Sequence, residues 1–254
     1  MPFDYLSLSL LFLCGLVSGS FLTLCITRLP QGESIVSPPS HCDACGRRLG
    51  PVELIPVVGY LIYRGRCRSC GAPVPWWYPG LELLTAGIYV SLGYRFGLTM
   101  LAVKYAVLVS LLLVIAGIDL QTYTIPDALV LAGLGCGLLF LPLGEVSWQA
   151  ALLGAALGGG LLLLIAAASR GGMGGGDVKL GLVLGLFLGW QQVLVALFLA
   201  VMAGAVLGLM LIAAGRKRRR DAIPFVPFLT AGTLGALWWG RDLISWYTTT
   251  FFCL

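Results

Sequence analysis

The sequence predicts an all-α polytopic membrane protein of about eight transmembrane helices, interrupted by one polar loop that carries four cysteines. Three observations predict it. Of 254 residues, 59% are hydrophobic and only 11% are charged, where soluble domains carry about a quarter, and the mean hydropathy is +0.96. The apolar residues gather into runs close to the ~20 residues a helix needs to cross the hydrocarbon core. The polar residues concentrate in an insert at 31–80, marked by Pro30, the turn Ser37-Pro38-Pro39-Ser40 and Pro79-Gly80. The chain thus divides into a first span (1–30), a polar loop (31–80) and a membrane bundle (81–254).

The first run, 6–28, lacks the basic flank and small-x-small cleavage site of a signal peptide, so it reads as a retained span. Further runs follow at 81–98, 101–118, 128–143, 149–168, 178–190, 192–214 and 223–240. The sixth is short and merges with the seventh, with Gly189-Trp190-Gln191-Gln192 as the expected turn; a re-entrant sixth would leave seven spans. Gly154-x-x-x-Gly158, Gly181-x-x-x-Gly185-x-x-x-Gly189 and Gly204-x-x-x-Gly208 put small residues on one face of a helix, where backbones approach closely in lipid.

Basic residues set the orientation. With 31–80 cytoplasmic and eight alternating spans, 13 of the 16 Lys and Arg fall inside, including Arg170 and the run Arg216–Arg220. Only Arg95, Lys104 and Arg241 fall elsewhere. Both termini then lie outside. The net charge of +5 does not point to nucleic acid, since the charges sit at span ends with no aromatic-interleaved basic stripe. The Arg216–Arg220 run reads as an anchor on anionic lipid headgroups of the bilayer.

In the loop, Cys42-x-x-Cys45 and Cys67-x-x-Cys70 have the spacing of a structural zinc site, two knuckles completing a tetrahedron. Gly46 and Gly71 follow each pair, where a tight turn brings backbone amides toward sulfur. Two disulfides are the alternative, disfavoured by a reducing cytoplasm. His41 is the sole histidine, which excludes a HExxH metalloprotease and leaves no histidine inside a span for a serine protease. Cys14, Cys25, Cys136 and Cys253 read as small buried hydrophobes.

Two carboxylates stand apart from the loop acids. Asp119 follows the run Leu111–Ile118, and Asp177 follows Gly174-Gly175-Gly176 and precedes Val178-Lys179-Leu180. Span parity brings both to the same membrane face. Paired carboxyls share a proton, so one activates water while the other protonates the scissile amide. Each has a plainer reading: Asp119 as a helix-end carboxylate beside Lys179 or Arg170, and Asp177 as an N-cap. Asp127, after Pro126, reads as a cap. The Gly171–Gly176 run lacks the Gly-Lys-Ser/Thr ending of a phosphate loop.

At these residues the chain resembles the type IV prepilin peptidase family of GxGD aspartic proteases. The resemblance is carried by Gly174-Gly175-Gly176-Asp177-Val178-Lys179-Leu180 and by Ile118-Asp119 with Ile125-Pro126-Asp127. Ser20-Phe21-Leu22, Arg28-Leu29-Pro30, Tyr78-Pro79 with Glu82-Leu83, and Ile223-Pro224-Phe225 with Pro227 extend it over nearly the whole chain. Thr23, Leu54, Trp77 and Val226 depart from the family's common residues.

The resemblance implies a bacterial inner-membrane enzyme with Asp119 and Asp177 as the catalytic pair and Cys42, Cys45, Cys67 and Cys70 holding zinc. It would cut the basic leader from a prepilin or pseudopilin after glycine, on the cytoplasmic side. It would then methylate the new N-terminal amine, with S-adenosylmethionine as donor. No donor-binding motif transfers by residue; Glu53 and Glu82 are candidates. A proton-coupled transporter would want paired mid-membrane charges and related halves, which are not visible. A non-catalytic zinc-loop scaffold of a pilus or secretion assembly leaves the two aspartates without a role.

Overall fold

The computed structural model describes residues 5–143, 146–169, 173–218 and 221–252. Arg170, Gly171, Gly172, Arg219, Arg220 and Cys253 lie outside the described residues. Among the described residues the chain is helical and has no strand, only the isolated bridges His41–Arg48 and Arg66–Pro73. It forms two compact units, Met1–Ala102 and Val103–Leu254.

In the first unit, α1 (Tyr5–Arg28) packs on α3 (Trp77–Phe96), with the polar loop and the short α2 (Val58–Ile62) between them in sequence. Two glycines that the sequence reading passed over set the approach. A Cβ on Gly19 would sit 2.6 Å from the Glu82 Cα, and one on Gly15 would collide with the Ala86 backbone. Gly15-x-x-x-Gly19 is therefore the seam of this unit.

The second unit contains most of α4 (Met100–Thr122), then α5 (Asp127–Phe140), α6 (Trp148–Ala168), α7 (Gly175–Ala213) and α8 (Val226–Phe252). The helix α7 is continuous by hydrogen bonding but breaks at Gly189, whose φ of 76° and ψ of 173° only glycine adopts easily. Gly158 lies against both Gly181 and Val193. Those two residues would be ~18 Å apart along one straight helix, so α7 folds back as two limbs. The break falls at the first residue of the expected turn. Gly154 and Gly158 on α6 meet Gly185 and Gly181 on the first limb, backbone to backbone. Gly204 and Gly208 make only ordinary contacts, with Phe228 and Ile223 at 3.6 Å, so their repeat is not a seam.

Four helices among the described residues are long and apolar enough to cross a membrane: α1 (continuing to Gln31), α4, α6 and α7. Shorter and also apolar is the stretch Asp127–Leu143. Helix α3 carries Glu82 and Arg95, and α8 carries Arg241 and Asp242 and runs twelve residues past its expected end at 240. The overrun arises because the helix continues past the end of its apolar run, through Arg241 and Asp242.

Candidate active site and metal centre

Asp119 lies within the last turn of α4 and Asp177 is the third residue of α7; they are 6% and 8% exposed. Both line one cavity of about 500 Å³, together with Ile125, Gly174, Gly176 and Phe225. The local sequence explains how. The Asp119 carboxylate accepts a hydrogen bond from the Val226 amide at 3.1 Å, the first backbone N–H of α8. That amide has no partner within its own helix, and the dipole there favours an anion. Pro224 and Pro227 flank this start. Gly176 gives room for Ile125, whose Cβ would lie 2.9 Å from an added side chain, while Gly175 faces open space. The motif glycines thus have separate jobs, one packing and one leaving room.

Two of the plainer readings do not hold in the geometry, while a pairing of Asp119 with Arg170 lies outside the described residues. The N-cap of α7 is Gly174, with no side-chain cap, so Asp177 is not a cap. Lys179 pairs with Asp127, Nζ to Oδ1 at 2.6 Å, and not with Asp119. Asp127 is the first residue of α5 after the cap Pro126, so its carboxylate serves the ion pair in the same cavity wall.

The four loop cysteines come together in the first unit, with all four sulfur atoms within 4.8 Å of one another. Cys42 Sγ and Cys70 Sγ are 3.8 Å apart. That is the edge of a tetrahedron with metal–sulfur bonds of ~2.3 Å, so the donor set fits a four-thiolate metal ion. The two knuckles are built alike. Gly46 and Gly71 take φ of 68° and 70° and donate to the carbonyls of Cys42 and Cys67 at 2.8 and 3.0 Å. Backbone amides of Cys70 and then Ser69 pull the Cys67 thiol down to about 6, toward the thiolate form that binds metal. All described cysteines are free, and His41 is outside the cluster, with Nδ1 3.0 Å from the Pro39 carbonyl.

A second cavity of about 320 Å³ lies between this loop and α1 and α3. Both candidate acids reach it, but differently. Glu53 is paired with Arg47 at 2.5 Å and accepts from the Gly50 amide at 2.8 Å, which first holds its carboxyl below the usual range. Glu82, 8% exposed, accepts from the Val57 amide at 2.7 Å. Arg28 is buried and clamps the loop, donating to the carbonyls of Ser34, Pro38 and Pro39. The long-range bonds of Arg28 and Glu82 were not visible in sequence, where only the Arg28-Leu29-Pro30 and Glu82-Leu83 motifs hinted at a role.

Residues 13–96 match the Bacterial Peptidase A24 N-terminal domain, and residues 106–209 match the Type IV leader peptidase family. A Prepilin leader peptidase/N-methyltransferase of Bacillus subtilis (strain 168) is 40% identical over 243 residues, 94% of this chain and 97% of that protein. One from Aeromonas hydrophila is 35% identical over 277 residues, covering 97% and 96%. A third, from Myxococcus xanthus (strain DK1622), is 41% identical over 83% of this chain and 65% of its own length. No solved structure matches the chain. With a relative this similar along nearly its full length, the chain belongs to the prepilin leader peptidase/N-methyltransferase family.

Proposed function

We propose that this chain is an intramembrane aspartic endopeptidase that removes the leader from prepilins or pseudopilins after glycine, and that it also methylates the new N-terminus. The observation that carries the peptidase half is the meeting of two buried carboxylates, Asp119 and Asp177, on one cavity wall. Two carboxyls in a partly desolvated site cannot both ionise cheaply, so they hold one proton between them. The ionised partner takes a proton from water as it attacks the scissile carbonyl, and the protonated partner donates to the leaving amine. The Val226 amide fixes Asp119 in place, and the open side of Gly175 leaves backbone-sized room for an extended peptide.

In this reading the chain crosses the bacterial inner membrane eight times, counting the two limbs of α7 separately, with loop and aspartates facing the cytoplasm. Residues 1–30 form the first span, 31–80 the metal loop serving methyl transfer, and 81–254 the protease bundle. Cys42, Cys45, Cys67 and Cys70 would hold Zn²⁺, which in a closed thiolate site folds the loop and does not hydrolyse. S-adenosylmethionine would supply the methyl group. The family match lends nothing to a proton-coupled transporter or to a non-catalytic scaffold.

The test is cleavage of a prepilin by the purified protein in detergent, read by mass spectrometry as leader loss and a methyl increment. Asp119→Ala and Asp177→Ala are expected to abolish leader loss while the protein stays folded and metal-loaded. A folded Asp177→Ala protein that cleaves at the wild-type rate would remove the dyad.

A further inference from the structure

The cavity of the first unit has no part in peptide cleavage as derived above, yet it has the properties of a small-molecule site. Its volume, about 320 Å³, falls in the ~300–1,000 Å³ range of such sites. Its wall combines apolar side chains, Leu24 and Ile55 among them, with Tyr60, Tyr63 and Tyr78. Phenol rings offer a stacking surface to a purine and π-density to a cation.

Charge is what narrows the occupant. Glu53 is neutralised by Arg47, the Arg28 guanidinium is spent on loop carbonyls, and Asp43 and Arg66, which also line the cavity, are exposed. Among the described residues, Glu82 has no ion pair, although it is buried. The Val57 amide donates to it at 2.7 Å and Ser20 lines the same cavity, but neither cancels its charge. A buried carboxylate without a counter-ion is costly, and a cation bound beside it would relieve that cost.

The backbone around it is strained to keep it there. Val57 has φ 61°, a left-handed conformation that a β-branched residue avoids, and it is the residue whose amide Glu82 holds. The close α1–α3 seam at Gly19 brings Ser20 against the same carboxylate. Three elements therefore converge on one acid at the floor of a tyrosine-walled cavity.

We propose that this cavity binds the methyl donor, a sulfonium nucleoside, with Glu82 facing the sulfonium charge and the tyrosines taking the purine. The inference rests on the transferase half of the proposed function and adds the site to it. In the transfer, the C–S bond breaks as the N–C bond forms, its electron pair stays on sulfur as a neutral thioether, and the ammonium's proton goes to water. The site therefore favours the charged donor over its own spent product. Cys42 and Cys67 also line this cavity, so the metal loop forms part of its wall.

The test uses the full-length protein in nanodiscs and calorimetric binding of three probes: S-adenosylmethionine, sinefungin (an amine in place of the sulfonium) and S-adenosylhomocysteine (an uncharged thioether). Wild type is expected to bind the two cations about tenfold more tightly than the thioether. In Glu82→Gln that ratio should collapse to about two, with the thioether's affinity changed less than about threefold, which also shows that the variant is folded. A ratio unchanged by Glu82→Gln, in a wild-type enzyme that adds a methyl group to its product, overturns the site alone. A wild-type enzyme that cleaves but neither methylates nor binds any probe overturns the site and the transferase reading together. Should Glu82→Gln not fold, Thr27→Leu replaces it. Thr27 lines the cavity and bonds only its own helix, so leucine fills space without breaking the fold. All three probes should then weaken about tenfold, and undiminished binding overturns the proposal.

Discussion

The two units solve the same problem, holding polar groups in fixed places, by opposite means. Around the metal loop, named side chains reach far along the chain: Arg28 to the Pro38 carbonyl, Glu82 to the Val57 amide, Glu53 to Arg47 and Gly50. The loop leaves Val36, Leu61 and Trp76 largely exposed and buries little apolar surface of its own. Small folds without a core depend on such ties and on metals. Around the aspartates, α6 and α7 touch through Gly154, Gly158, Gly181 and Gly185; Asp177 rides on α7, and Asp119, on α4, is held by the Val226 amide. Lipid gives no hydrophobic drive between helices, so close backbone approach does the holding there. The lesson is that one site should fail by losing a tie or an ion, and the other by losing a fit.

The sharpest break is chemical. Asp119→Asn or Asp177→Asn should lower leader cleavage by at least about three orders of magnitude, because members of a catalytic unit fail together. Metal content and probe binding to the first unit are the measurements that show the loss to be local. Equal, modest losses of cleavage and metal would mean instead that the aspartates only support the fold.

Next comes removal of the metal. A strong zinc chelator should release one ion per chain, measured by mass spectrometry of the released metal, and should weaken thioether binding by about tenfold or more as the cavity wall loosens. Leader cleavage should stay within about threefold of its starting rate, since no metal ligand lines the aspartate cavity. A parallel loss of both activities would show that the loop supports the protease as well.

How far the sequence reached follows from the same contrast. The cysteine cluster was legible because short spacings restrict where two thiols can go, and Asp119 and Asp177 stood out because span parity put two carboxylates on one face, one of them behind a glycine run. The break at Gly189 came from the polar interruption of an apolar stretch. The Gly15–Gly19 seam carried the same signal as Gly154–Gly158 and was overlooked, while Gly204–Gly208 carried it and turned out loose. Spacing marks a face that can be approached; whether a neighbour arrives is decided by tertiary packing. The Glu82–Val57 bond links residues 25 apart with no periodicity to announce it. Val57's left-handed backbone was equally hidden, since a β-branched residue gives no propensity for it.

Glycine fit in the second unit is a smaller effect with a built-in control. Gly185→Ala pushes a methyl into the Gly154 backbone, which cannot move aside as a side chain would, and should cost about 1–3 kcal/mol in denaturant unfolding. Gly135→Ala, on α5 and facing open space, should be neutral or stabilise by up to about 1 kcal/mol through helix propensity. Similar melting of the two variants would mean that the α6–α7 contact is not tight.

The smallest expected effect concerns a tie in the loop. The Gly50 amide, followed by the Arg47 guanidinium, lowers the Glu53 carboxyl below its ordinary value, against the opposite pull of burial. A carboxyl lowered on folding stabilises the folded loop above its unfolded value, about 4.3, and loses that contribution as pH falls through the lowered folded value. Between pH 5 and 8 the contribution of Glu53 is therefore constant, and pH effects in that window belong to other groups. Limited proteolysis of the loop reads this directly. Glu53→Gln should be cut roughly threefold faster than wild type at pH 7, a modest factor because the Arg47 side of the pair is partly exposed. Taking the ratio of variant to wild type at each pH cancels the pH effects that both share. That ratio should fall toward one in acid, once Glu53 itself is protonated. A ratio that stays flat from pH 7 into acid would mean that the shape of the side chain, and not its charge, ties this part of the loop.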